Sequence, residues 1–173
     1  MRSLILFVAI VAAVGFAVYW DKQDTPFAGA PGLYPPIFVW TENKDTANTM
    51  NTICRSGWTS IVRPDTKYTT PIKLALLKQS SFKDRDPSHY ELDHAAPIEL
   101  LGDPTNPKNL WLEPITEARQ KDRVETYLKN AVCADRLTLA QAQDMIAANW
   151  ITVYQTLSKQ PTFGSVEPSN TDD

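Results

Sequence analysis

Three stretches of the chain repeat an apolar residue every three or four positions, which is the spacing of a helix with one buried face. The first runs from Tyr68 to Gln79, where Thr70-Pro71 marks the expected start. The second runs from about Thr116 to Ala131. The third follows Thr138, its predicted N-cap, and has the most regular apolar positions: Leu139, Ala142, Ile146, Trp150, Val153 and Leu157.

A short, turn-rich stretch separates the first two predicted helices. We predict two brief strands there, around Leu92–Ile98 and Lys108–Leu112, joined through Gly102-Asp103-Pro104. A hairpin that runs into a helix, with further helices on either side, predicts an α+β fold.

A different apolar pattern lies at the N-terminus, where an unbroken run from Leu4 to Trp20 follows Arg2. At about 1.5 Å per residue this run spans about 26 Å, close to the ~30 Å hydrocarbon core of a bilayer. We therefore predict that residues 1–22 form a membrane anchor, inserted through residues 4–20. The alternative is a signal peptide cleaved within residues 1–30, although its small-residue site, Ala28-Gly29-Ala30, lies late in the segment. Either alternative exports the remaining chain, as an inner-membrane-anchored domain facing the periplasm or exterior, or as a secreted one.

The exported part divides into three segments by composition. Residues 23–50 are rich in Pro and Gly and are predicted to be a tether, in which Ile37-Phe38-Val39-Trp40 could dock on the domain. Residues 51–158 are predicted to form one globular domain. Residues 159–173 are predicted to be a disordered acidic tail.

Cys54 and Cys133 are the only cysteines of the chain. An exported domain with two cysteines most simply pairs them, and two separate buried thiols are the alternative. Two cysteines exclude a structural zinc site of four thiolates.

Charge is unevenly distributed along the chain, whose net charge is −3. Between Cys54 and Arg85 seven Lys and Arg residues stand against two Asp and Glu, whereas Asp86 to Lys129 holds five against nine. A basic stretch beside an acidic one is compatible with a metal-binding nuclease, and equally with an ordinary solvated surface.

The candidate chemistry centres on the adjacent pair Asp93-His94. Aspartate supplies a hard oxygen ligand for Mg²⁺ or Mn²⁺, and neutral histidine supplies a base near physiological pH. Phosphodiester hydrolysis requires this combination. Neighbouring side chains of a strand point to opposite faces, so both can serve one site only at a bulge or at a strand end.

The sequence around this pair resembles the HNH endonucleases, whose core is a β-hairpin and one helix around a single metal ion, the ββα-metal fold. The resemblance is to small exported bacterial HNH-like proteins and covers about Cys54 to Tyr154. It rests on six ordered elements: Cys54-Arg55-Ser56-Gly57-Trp58-Thr59, Asp93-His94, Asn109-Leu110-Trp111, Lys121-Asp122-Arg123-Val124-Glu125, Val132-Cys133 and Ala142-Gln143.

This resemblance implies roles for three residues. His94 would be the general base that activates water, and Asp93 would be the first metal ligand. Asn109 would hold the hairpin and orient His94 through backbone contacts.

The chain departs from the family at the third position, a His or Asn on the following helix, where Ala118 stands here. Glu117 is the nearest replacement for that metal ligand, with Asp122 second. Glu117, Lys121 and Glu125 share one helix face, which could equally be an ordinary salt-bridged surface.

The expected function is hydrolysis of DNA phosphodiester bonds with one divalent cation, Mg²⁺ or Mn²⁺, and RNA is a second candidate substrate. Lys121, Arg119 and Arg63 are expected to contact the phosphate. No base-reading element is visible, which predicts low sequence selectivity. Two alternatives remain, neither with a defined protein partner. One is a catalytically degenerate HNH-fold module that binds nucleic acid or protein at the cell envelope, and the other is a structural envelope protein.

Overall fold

A short β-hairpin that runs directly into a long helix forms the centre of the fold. The structure is a computed structural model and describes residues 37–41 and 51–165. The predicted anchor, most of the predicted tether and the end of the predicted tail lie outside these residues. In chain order the helices and strands are α1 (Trp58–Val62), α2 (Thr66–Gln79), β1 (Tyr90–His94), β2 (Leu110–Pro114), α3 (Ile115–Cys133) and α4 (Leu139–Leu157). The fold is therefore α+β.

The two strands pair antiparallel, with Tyr90 opposite Pro114 and His94 opposite Leu110. β1 begins two residues earlier than predicted and ends four residues earlier, while β2 lies two residues later. The ladder closes at the loop, where the backbone N–H of Ala95 donates to the carbonyl of Asn109 at 2.8 Å. Beyond Ala95 the chain cannot continue the strand, because Pro97 has no N–H and precedes the 3₁₀ turn Ile98–Leu100.

Helix α2 begins earlier than the sequence predicts. Its N-cap is Asp65, whose side chain accepts a hydrogen bond from the backbone N–H of Tyr68 at 3.1 Å. Pro71, the predicted start, lies inside the helix, where its missing N–H removes one helical hydrogen bond. One face of the hairpin packs on α2 through Leu77, Tyr90 and Leu112.

Helix α3 follows β2 without a loop and packs against both the hairpin and α4. Helix α4 begins as predicted after Thr138, which forms a capping box with Gln141. The side chains that fill the space between these elements are almost fully buried: Ala96, Ile98, Leu100, Leu112, Val124, Leu128, Ala142 and Ile146.

Residues 37–41 dock on the hairpin loop, as the sequence suggests for 37–40. Thr41 donates its backbone N–H to Leu101 at 2.9 Å, and Asp103 donates to the carbonyl of Val39 at 2.8 Å. Trp40 pairs with Gly102, where a Cβ atom would lie 1.7 Å from the carbonyl oxygen of Ala96. Only glycine fits this close approach of two backbones.

The sequence predicts that the domain ends at residue 158, but the chain beyond that residue also packs on it. Residues Pro161–Ser165 form a 3₁₀ turn that buries Phe163. The guanidinium of Arg123 lies 4.8 Å from the centre of the Phe163 ring, and Tyr127 and Tyr154 meet that ring edge-on.

Cys54 and Cys133 form a disulfide that joins the segment before α1 to the last residue of α3. The predicted pairing is confirmed, and the alternative of two separate thiols is excluded. Within the described residues, none of the helices combines the length and the apolar character that crossing a bilayer requires.

Candidate active site

His94 is the last residue of β1 and is 5% exposed. By strand alternation its side chain shares the face of Tyr90, which packs on α2. Nε2 of His94 lies 2.9 Å from the carbonyl oxygen of Pro104. Because a carbonyl can only accept, Nε2 carries the proton and the lone pair of the neutral ring is on Nδ1.

The surroundings of His94 keep its imidazole neutral. Burial lowers the pKa of His94, and this effect outweighs the carbonyl of Pro104 and the charge of Asp93, which both favour the protonated ring. The ring therefore has the form that a general base needs before reaction.

Asn109 ties together the loop that holds His94, and it is fully buried. Its Oδ1 accepts from the backbone N–H of Ala96 at 2.8 Å, and its Nδ2 donates to the carbonyls of Ala96 and Asp103 at 2.9 Å. Asp103 is followed by Pro104, whose carbonyl oxygen accepts the hydrogen bond from Nε2 of His94. The structure thus places Asn109 where it positions the histidine through backbone contacts.

The opposite face of the hairpin is acidic. Glu91 and Asp93 are two residues apart on β1 and so share this face. The register places Glu113 of β2 directly opposite Glu91. Asp122 and Glu125 of α3 lie close enough to Asp93 for their charges to interact. We call these five carboxyl groups the acidic face: Glu91, Asp93, Glu113, Asp122 and Glu125.

Lys121 is embedded in this acidic face and is 1% exposed. Its Nζ lies 2.7 Å from Oδ2 of Asp93 and 2.8 Å from the carbonyl oxygen of His94, and it also donates to Oε1 of Glu125. Burial alone would lower the pKa of Lys121, but the neighbouring carboxylates raise it well above its usual value. The ammonium thus uses its three N–H groups inside the protein.

The phosphate contact expected of Lys121 stays a prediction, and in this structure the ammonium is buried with its three donors occupied inside the protein. The same ion pair holds the pKa of Asp93 low against the opposing effect of burial. Both oxygens of the Asp93 carboxylate accept hydrogen bonds, Oδ2 from Lys121 and Oδ1 from the backbone N–H of His94.

Glu113 is a site residue that sequence reasoning missed. It is fully buried, and neither of its carboxyl oxygens accepts a hydrogen bond from the described residues. Burial and the negative charge of Asp93 raise the pKa of Glu113 well above its usual value. The signal that could have found Glu113 is strand alternation. Glu113 is two residues after Trp111, so the two side chains share the face of the hairpin that carries Glu91 and Asp93.

Three carboxylates of the acidic face form a candidate cation site. Glu91, Asp93 and Asp122 each present an oxygen, and these oxygens lie within 4.8 Å of one another. Burial and the charges of neighbouring carboxylates raise the pKa of Asp122 to about 9. Hard oxygen ligands and excess negative charge suit Mg²⁺, Mn²⁺ or Ca²⁺.

Glu117, the first replacement suggested by the sequence, is not a member of this group. It lies in the first turn of α3, which starts at Pro114 beside Tyr90. That end of the hairpin is the one opposite to His94. Helix α3 contacts Asp93 through Lys121, which is one helical turn after Glu117. Asp122, the second choice, is the residue that the structure brings to Asp93.

The two arginines expected at the phosphate differ in position. Arg119 is exposed on α3. Arg63 is half-buried just after α1, and its positive charge acts on both His94 and Glu99. Of these two arginines, Arg63 is the one whose charge acts on the imidazole.

Comparison of the chain with protein-family models, with curated proteins and with solved structures found no match.

The base and the acidic face meet only at the end of β1. The ladder from Tyr90 to His94 has no bulge, so the side chains of Asp93 and His94 leave opposite faces of the hairpin. They are joined by the backbone N–H of His94, which donates to Oδ1 of Asp93 at 2.7 Å. A group that contacts both residues must therefore lie beyond the last pair of the ladder.

The first prediction concerns Lys121. Its replacement by Met keeps the volume but leaves Asp93 as a buried charge without its cation and Glu125 without its hydrogen-bond donor, so we expect the free energy of unfolding to fall by about 3–5 kcal/mol. Urea unfolding followed by circular dichroism measures this change. The control, Lys108→Met, alters an exposed lysine and should leave the midpoint unchanged. Equal midpoints for the two variants would contradict the proposed importance of the buried ammonium.

The second prediction concerns the two histidines of the chain. Asp84 lies 2.6 Å from Nδ1 of His89 and raises its pKa above 6.5, whereas burial lowers the pKa of His94 below 6.5. Proton NMR of the metal-free protein should therefore show one imidazole that titrates above this value and one below it. The variant His89→Gln assigns the signals, and a remaining signal that titrates above 6.5 would refute the buried position of His94.

Proposed function

We propose that this chain is an exported, HNH-type endonuclease that hydrolyses the phosphodiester bonds of DNA, and of RNA as a second substrate, with low sequence selectivity. The observation that carries the proposal is the state of His94, a neutral imidazole whose Nδ1 lone pair is left for a water molecule because Nε2 donates to Pro104. His94 stands at the end of β1, and the three carboxylates of the candidate cation site lie on the other face of the hairpin. The hairpin followed without a loop by α3 matches the expected order of a ββα-metal core.

In this proposal His94 removes the proton of the attacking water through Nδ1. Asp93, with Glu91 and Asp122, holds one divalent cation, Mg²⁺ or Mn²⁺. Bound there, the cation supplies electrostatic stabilisation of the phosphate. Arg63 adds positive charge on the side of His94.

Asp122 takes the place of the ligand that Ala118 does not provide. Ala118 is fully buried, so its position leaves no room for a larger side chain without repacking. Asp122 is four residues later, and residues at this spacing lie on the same side of a helix. A carboxylate one turn along α3 thus offers the oxygen that the helix lacks at residue 118.

The disulfide is compatible with export, since such bonds persist in oxidising compartments. The anchor proposed for residues 1–22 would then keep the domain at the cell envelope, and cleavage of a signal within residues 1–30 would release it.

A catalytically degenerate module that binds nucleic acid or protein is the second candidate, and one observation favours it. The ammonium of Lys121 already occupies Oδ2 of Asp93, in the manner of an internal cation. A protein that keeps this ion pair for stability alone would bind no metal.

The third prediction is nicking of supercoiled plasmid by the full chain in the presence of Mg²⁺ or Mn²⁺. EDTA should abolish it, and His94→Ala should slow it by about a hundredfold or more, because a positioned general base contributes at least this factor. The variant His89→Ala is the matched control, since this exposed histidine lies outside the site. Intact plasmid with every metal, from folded protein, would favour the degenerate module.

The fourth prediction separates the two acidic residues that the sequence offers as ligands. Asp122→Asn should weaken Mn²⁺ binding by about tenfold or more, because an amide oxygen replaces a carboxyl group that can give up its proton and bind the cation as a carboxylate. Glu117→Gln should leave the affinity unchanged, because Glu117 is outside the carboxylate group. Calorimetric titration with Mn²⁺ measures both, and the reverse result would return the ligand role to Glu117.

A further inference from the structure

The end of α1, the start of α2 and the residues between them lie near the loop that holds His94. The hydroxyl of Tyr68 donates to the carbonyl of Thr105. That residue follows Pro104, whose carbonyl holds the imidazole of His94 at 2.9 Å. The positive charge of Arg63 also acts on the same imidazole.

This segment presents apolar and basic side chains to solvent together. Ile61 is 71% exposed and Tyr68 is 39% exposed, so both present apolar surface to solvent. Lys67 is exposed between them in sequence, and Arg63 is half-buried. We call these four residues the α1–α2 surface.

The tyrosine ring of this surface has a fixed orientation. Its hydroxyl is tied to Thr105 on the hairpin loop, and its backbone N–H is tied to the N-cap Asp65 at 3.1 Å. A ring that is held at both ends and exposed in part is a platform on which a flat group can stack at low entropic cost.

We propose that the α1–α2 surface binds an unpaired nucleic-acid strand, with one base stacked on Tyr68 and phosphates contacted by Arg63 and Lys67. Charge complementarity supports a polyanion, because the chain from Cys54 to Arg85 carries seven basic against two acidic residues. An exposed apolar residue and a partly exposed aromatic ring, close in sequence to two basic residues, favour a single strand, since the faces of its bases are accessible for stacking. In a duplex these faces are covered by neighbouring base pairs.

The inference deepens the proposed function by naming its substrate class, and only the link to cleavage rests on that function. A strand on Tyr68 leads to the loop that holds His94. Substrates with unpaired segments would therefore be cut in preference to a fully paired duplex. Binding itself requires neither the metal nor the base.

The test is fluorescence anisotropy with the full chain in EDTA, so that nothing is cleaved. The probes are labelled twelve-nucleotide oligo-dT, oligo-U and a twelve-base-pair duplex. We expect both single strands to bind at least about fivefold more tightly than the duplex. Tyr68→Leu should weaken single-strand binding about tenfold, because base–aromatic stacking contributes ~1–3 kcal/mol per base. Tyr68→Phe keeps the ring and should retain most of the affinity.

Leu74→Ala is the matched control, since Leu74 is exposed on the same helix but outside the α1–α2 surface. Equal binding of single strands and duplex, or an unchanged affinity of Tyr68→Leu, would overturn the inference. Single-strand binding that depends on Tyr68 in a chain that never cleaves would support the inference and refute the nuclease. Cleavage of a duplex that is unaffected by Tyr68→Leu would support the nuclease and refute the inference.

Discussion

The buried ammonium of Lys121 determines how the central helix sits on the hairpin. It joins the side chain of Asp93 and the backbone of His94 to Glu125, and so ties α3 to the end of β1. An ion pair removed from water is stabilising only when its partners are fully hydrogen-bonded, and this one satisfies all three donors. This contact holds α3 against the end of β1 and brings Glu125 next to Asp93.

One ammonium does not balance the acidic face. Five carboxyl groups surround it, and burial with mutual repulsion raises the pKa of Asp122 to about 9 and that of Glu125 to about 8. Such a cluster keeps its compact form at neutral pH by binding protons or a cation. The pKa of Glu113 is also raised, by burial and by the negative charge of Asp93. The face that stabilises the fold is thus the same face that is suited to a divalent ion.

The sequence predicts those features that depend on local pattern. Helix α4 and its cap at Thr138, the order of hairpin and helix, and the disulfide all follow from spacing or from cysteine number. The strand ends do not, because Asn109 closes the ladder through contacts with a distant part of the loop. The burial of Lys121 also does not follow from the sequence. The spacing of Glu117, Lys121 and Glu125 is the same whether that helix face meets water or a sheet. Only the packing of α3 on β1 decides between these environments.

The division of the hairpin into two faces constrains any chemistry that takes place here. His94 faces α2 with the loop that Asn109 holds, whereas Asp93 faces α3 with the other carboxylates. Because no bulge turns one side chain towards the other, a substrate must pass around the end of β1 to contact both. A flexible single strand can follow this path, while a rigid duplex has to deform to do so. In the proposed function, the geometry of the strand end and the partly exposed ring of Tyr68 would therefore act on the same single-stranded substrate.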